Sequence, residues 1–93
     1  MIPADALLTL SKDVIVRRDP SGLLLFQVRT DEMYFVPHGA AALLKLADGS
    51  RTLAEIGEAA LHLEPDADRA AVIPAIASLF SNLAARQVVE VWP

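Results

Sequence analysis

The run L-L-L-F-Q-V-R-T, Leu23 to Thr30, constrains the fold more than any other stretch. Its apolar side chains follow one another with almost no alternation, so an extended chain here is expected to bury both of its faces. That puts the run in the middle of a sheet, with a strand on each side. V-I-V-R-R, Val14 to Arg18, has the β-branched content of one such strand, and E-M-Y-F-V, Glu32 to Val36, makes the other. D-P-S-G, Asp19 to Gly22, supplies the first turn, in which Pro20 presets φ and Gly22 accepts a positive value. Thr30 and Asp31 make the second turn. Connections this short make the three runs an antiparallel meander. Pro37, with no N–H to donate, ends it.

Three strands cannot hide their own apolar face, and the rest of the chain supplies the cover. Gly39 opens a helix through A-A-A-L-L-K-L-A, with Leu43, Leu44 and Ala47 on one side. Asp48-Gly49 ends it, Gly49 being suited to the left-handed C′ position. Thr52 caps the next helix, and Glu55 completes a capping box. Leu53, Ile56, Ala60 and Leu63 form the apolar stripe of that helix. Beyond the acidic loop Glu64 to Asp68, a helical pattern runs to Gln87 with Val72, Ile76, Leu79, Phe80 and Leu83 on its stripe. Pro74 lies inside the pattern and costs about 3 kcal/mol unless the helix bends or breaks. A kink near Pro74, or a short first turn followed by a main helix, is therefore expected. Val88 to Trp92 is a short extended tail, and residues 1–12 are a loose N-terminal extension that docks Leu7, Leu8 and Leu10 on the body. The expectation is one α+β, winged helix-turn-helix-like domain over residues 13–93. Its order is β-β-β-α-α-α with a short C-terminal extended segment.

Composition narrows the function. Ninety-three residues suffice for one small domain and leave little material for an enclosed active site. Twelve acidic against eight basic residues give a net charge of -4, the wrong sign for neutralising phosphates. The helix from Thr52 to Leu63 carries Glu55 and Glu58 and no Lys or Arg, so a winged-helix reader of nucleic acid is the weaker alternative. Without cysteine there is no disulfide, thiolate ligand or cysteine nucleophile. His38 and His62 lie 24 positions apart and the chain has no cysteine, so too few ligands are at hand and no metal is expected. The serines lack a G-x-S-x-G context, and the few glycines form no phosphate-cradling loop. Neither catalysis nor a cofactor is expected. The N-terminus lacks a basic region before a long apolar run, and no stretch approaches the ~20 apolar residues of a membrane span. A soluble, cytoplasmic protein without membrane contact is expected.

Binding remains. In a meander the first and third strands are edges, with unpaired N–H and C=O groups. Asp13, Arg17, Arg18 and Pro20 guard the first. The third places Met33, Tyr34, Phe35 and Val36 between Glu32 and Pro37. Either the tail Val88–Trp92 covers this edge, or a second copy does so as a homodimer, or an extended peptide adds to it. The pattern alone leaves these readings open.

Y-F-V-P-H-G-A-A-A-L-L-K-L-A-D-G-S-R-T-L-A-E-I, Tyr34 to Ile56, resembles the signature of the PqqD-like family, peptide-chaperone domains also called RiPP precursor recognition elements. Tyr34, Val36, Ala40, Leu43, Leu44, Leu46, Asp48, Gly49, Arg51, Thr52, Glu55 and Ile56 fall on that signature. Val72, Ile76, Leu79, Phe80, Leu83, Val88 and Val89 meet its downstream part, so the resemblance spans roughly residues 13–91. Pro37 stands where the family commonly has Asn, Ala75 where it has Asp, and Gln87 where it has Gly. The resemblance implies a non-catalytic domain that captures the leader of a ribosomally synthesised precursor peptide by strand addition. It would present that precursor to a tailoring enzyme, often a radical S-adenosylmethionine enzyme or a peptidase. On this chain the implied wall is Glu32, Met33, Tyr34, Phe35 and Val36. Ile73, Ile76, Ala77 and Phe80 would face it from the third helix, and Arg69 would pair with a leader carboxylate. For the apolar members plain core packing is the competing reading, strongest at Ile76 and Phe80.

Overall fold

The computed structural model describes residues 2–92. In chain order the elements are β1 (Leu7–Leu10), β2 (Val14–Asp19), β3 (Gly22–Gln27), β4 (Glu32–Pro37), α1 (His38–Leu44), β5 (Asp48–Thr52), α2 (Leu53–Leu63), α3 (Arg69–Ala85) and β6 (Val89–Trp92). The meander β2-β3-β4 is antiparallel with β3 in the centre, as expected.

The order β-β-β-α-α-α is incomplete. A second antiparallel sheet, β5-β1-β6, joins three segments whose sequence suggests an extension, a turn and a tail. Leu7–Leu10 is its central strand, Leu8 is fully buried, and Leu7 faces Thr52 on one side and Trp92 on the other. A four-residue strand whose partners lie so far along the chain leaves almost no local pattern, because its pairing energy is entirely non-local.

The central run is buried on one face only. Leu23, Leu25 and Gln27 turn toward the helices, and Leu25 and Gln27 are wholly enclosed. Leu24 and Phe26 turn outward, cross-strand from Ile15, Met33 and Phe35, which are half-exposed or more. The glycine at the first turn also has a different reason from the expected one. Gly22 does not adopt a positive φ. A Cβ there would lie 2.1 Å from the Val36 carbonyl oxygen, so it is the close approach of β4 that excludes a side chain. Asp31, with φ 58°, takes the left-handed position at the second turn.

Helix α1 starts from Pro37 as N-cap and ends at Leu44, earlier than its apolar pattern suggests. Gly49 does take the left-handed conformation, φ 87°, but within β5 and not at a helix end. The capping box of α2 forms as expected. The Thr52 hydroxyl accepts from the Glu55 N–H at 3.1 Å, and the Glu55 carboxylate accepts from the Thr52 N–H at 2.9 Å.

Pro74 does not divide the third helix, which runs as one element of 17 residues. Its C-terminus closes in a Schellman arrangement: the Val88 N–H donates to the Leu83 oxygen and the Gln87 N–H to the Ala84 oxygen. Gln87 holds the left-handed position there, φ 63°. Leu8, Leu25, Ile56, Phe80 and Val88, all fully buried, join both sheets to α2 and α3 in one core.

Candidate functional site

β4 is an edge strand, and the phase of its ladder decides which groups it offers. The His38 N–H donates to the Ser21 oxygen at 3.2 Å. In an antiparallel pair, bonded and non-bonded residue pairs alternate. From the register of β3 and β4, Tyr34 and Val36 therefore bond back to Leu25 and Leu23. Met33 and Phe35, opposite Phe26 and Leu24, turn their N–H and C=O groups to the open side. The C-terminal strand does not cover that side, because β6 pairs with β1.

Side chains alternate with the backbone and split the expected wall in two. Val36 is buried and Tyr34 is partly buried, on the face that meets α3. Glu32 shares that face and is exposed. Met33 and Phe35, 64% and 50% exposed, lie on the opposite face, away from α3. The same two residues thus supply the free edge with their backbones and the outer face with their side chains.

The expected contributors from α3 also divide. Phe80 is fully buried and Ile76 nearly so, both in the core, with Ala77 packed at its margin. Ile73 turns to α2, where its Cδ1 lies against Gly57 so closely that a Cβ on the glycine would meet it at 2.7 Å. Arg69 also turns to α2 and donates to the Glu58 carboxylate at 2.6 Å. The cation that α3 brings to β4 is Arg86, whose guanidinium carbon lies 5.3 Å from the centroid of the Tyr34 ring. Its sequence signal is faint: a single basic residue where the apolar stripe of the last helix ends. The Tyr34 hydroxyl is buried with no hydrogen-bond partner among the described residues.

Beyond the C-terminal end of β4 the chain enters α1, and an apolar groove of about 430 Å³ opens between the three helices. Ala40 and Leu43 line it from α1, Leu63 from α2, and Val72, Ile76 and Leu79 from α3. Since Arg86 lies at Tyr34 while Ile76 and Leu79 lie beside α1, α3 runs antiparallel to β4. The face between them has a cationic end and an apolar end. Among the described residues no group of His, Asp and Glu is arranged to hold a metal. No helix is long and apolar enough to cross a membrane.

No family model matches the chain, and no curated protein matches it in sequence. Solved structures do. One is TbiB1 in complex with the TbiA(beta) leader peptide, with a TM-score of 0.75 at 18% identity, covering 88% of this chain and 94% of that one. Another is lasso peptide synthetase B1 complexed with the leader peptide, with a TM-score of 0.75 at 19% identity, covering 89% and 96%. This chain has the lasso peptide synthetase B1 fold. It is a similarity over nearly the whole length of both molecules at an identity that carries the architecture alone.

Proposed function

We propose that the protein is a non-catalytic, cytoplasmic leader-binding domain. An extended segment of a ribosomally synthesised precursor adds to β4 and is presented to a separate modifying enzyme. The observation that carries this reading is the free edge of β4, where Met33 and Phe35 offer their N–H and C=O groups to the open side. The fold shared with two chains solved in complex with leader peptides supports it. So does the resemblance of Tyr34–Ile56 to the PqqD-like signature. In this reading Tyr34 and Val36 face one set of alternate peptide side chains, with Glu32 at the margin. Met33 and Phe35 flank the other set. Ile76 contributes through the groove, while Ile73, Ala77 and Phe80 hold α3 in place without touching the peptide.

Amide hydrogen exchange tests it. The Met33 and Phe35 amides are expected to exchange fast in the free protein and to become protected when a leader peptide is added. Phe35→Pro, which removes an outward N–H at an edge where proline is tolerated, is expected to abolish that protection and leave the fold intact. Protection confined to residues outside β4 would sink the reading.

A further inference from the structure

Arg29, Arg51 and Arg69 each lie within ion-pair distance of a carboxylate, on Asp13, Asp48 and Glu58 respectively. Arg86 has no such partner among the described residues, and its guanidinium lies over the Tyr34 ring instead. A cation–π contact consumes none of the five N–H donors of a guanidinium, so they stay available to a planar acceptor. Tyr34 in turn lies on β4, an edge strand of its sheet, between the outward N–H and C=O groups of Met33 and Phe35. A cation fixed by an aromatic ring beside a free strand edge is suited to a carboxylate delivered by that added chain.

We propose that Arg86 reads an acidic side chain of the peptide that adds to β4. This rests on the leader-binding reading above and makes it specific. The bound segment carries Asp or Glu at the Arg86 end of the face between β4 and α3, and a large apolar side chain toward the groove of Leu43, Ile76 and Leu79. Both side chains must lie on the same face of the added strand, so they are separated by an even number of residues. A peptide antiparallel to β4 presents the apolar residue first and the acid second, and a parallel one reverses the order.

Charge argues that this preference is positional. The chain carries a net charge of -4, so its overall field disfavours acidic peptides. Glu32 shares the α3-facing side with Tyr34 and adds local repulsion without pairing with Arg86. An acid elsewhere on the peptide therefore weakens binding, and an acid at Arg86 strengthens it.

The test is selection of a randomised linear peptide library displayed on its own message, against the wild-type protein and against Arg86→Gln. Arg86 is exposed, and matching thermal melts establish that the variant is folded. The wild type is expected to enrich peptides with an acidic residue at a fixed even spacing from a bulky apolar one, and Arg86→Gln to keep the apolar position and lose the acidic one. For a resynthesised winner, changing its acid to the amide is expected to raise Kd about three- to tenfold on the wild type and not on Arg86→Gln. Glu32→Gln is expected to tighten the acidic peptide. Enrichment of apolar positions without an acid, or the same acid on both proteins, overturns the role of Arg86 and leaves β4 as the binding edge. Failure to enrich any extended pattern overturns both.

Discussion

The side-chain amide of Gln27 donates to the backbone oxygen of Gln87 at 2.5 Å, tying the centre of the β2-β3-β4 sheet to the end of α3 across 60 positions of sequence. Gln27 is fully buried, and its own oxygen accepts from the Arg29 N–H at 2.9 Å. The polar atoms of this enclosed amide are thus occupied at both ends. Gln27→Ala leaves a cavity and two groups without their partner, and is expected to lower unfolding free energy by about 2–4 kcal/mol in urea titration. A loss within error would mean that the tie contributes nothing.

Gln87 invites a change in the other direction. It holds the left-handed position that closes α3, and it serves Gln27 through its backbone oxygen. Its side chain is dispensable for both duties. Gln87→Gly is expected to raise stability by about 0.5–1 kcal/mol, seen as a higher midpoint at unchanged slope.

Within α3, Pro74 cannot donate to the Ala70 oxygen, the partner one turn back in a continuous helix. Pro74→Ala restores that bond and removes the ring from an exposed helix position. An increase of about 1–3 kcal/mol is expected. A decrease would show that the packing of Val72 and Ile76 against the rest of the molecule depends on the proline.

Arg69 and Arg86 separate binding from stability. Arg69 is committed to Glu58, an exposed pair worth about 0–1 kcal/mol. Arg69→Ala is expected to leave peptide affinity unchanged, whereas a drop in affinity comparable to that of an Arg86 variant would place the peptide on the wrong side of α3.

Acid should weaken the fold through two local devices. The Thr52 N–H donating to Glu55 holds that carboxyl below its ordinary value of 4.5, and the Ser50 hydroxyl donating to Asp48 holds that one below 3.8. A group whose folded pKa is lowered stabilises above its unfolded pKa and loses that contribution as pH falls through the folded value. Stability should therefore be flat near neutrality and decline below about pH 4.5. Glu55→Gln is expected to make the decline shallower in thermal melts taken across that range, and an unchanged acid limb would remove Glu55 from the account.

The meander, the capping box and the long third helix were legible because each rests on neighbours in sequence. Thr52 and Glu55 are three apart, and the register of Glu32–Pro37 on Gly22–Gln27 follows from one short turn. The second sheet was not legible, since Leu7–Leu10 has meaning only once Asp48–Thr52 and Val89–Trp92 have folded against it. At the site, the edge position of β4 could be read from strand order, but not that β6 pairs elsewhere and leaves it open, nor which residues face which way. Met33 and Phe35 are as apolar as Tyr34 and Val36, and only the ladder's phase sends them to opposite faces. Arg69 and Arg86 differ in role because the axis of α3 carries one toward Glu58 and the other over Tyr34, a tertiary fact with no local trace.

Leu7 and Trp92 stand directly across from one another in the β1–β6 ladder, so the polypeptide enters and leaves this domain side by side. The exit is by the sheet that does not carry β4. A unit with adjoining entry and exit can be spliced into a surface loop of a larger enzyme without being pulled apart. Here the splice would fall on the β5-β1-β6 sheet, and β4 would stay apart from it on the other sheet.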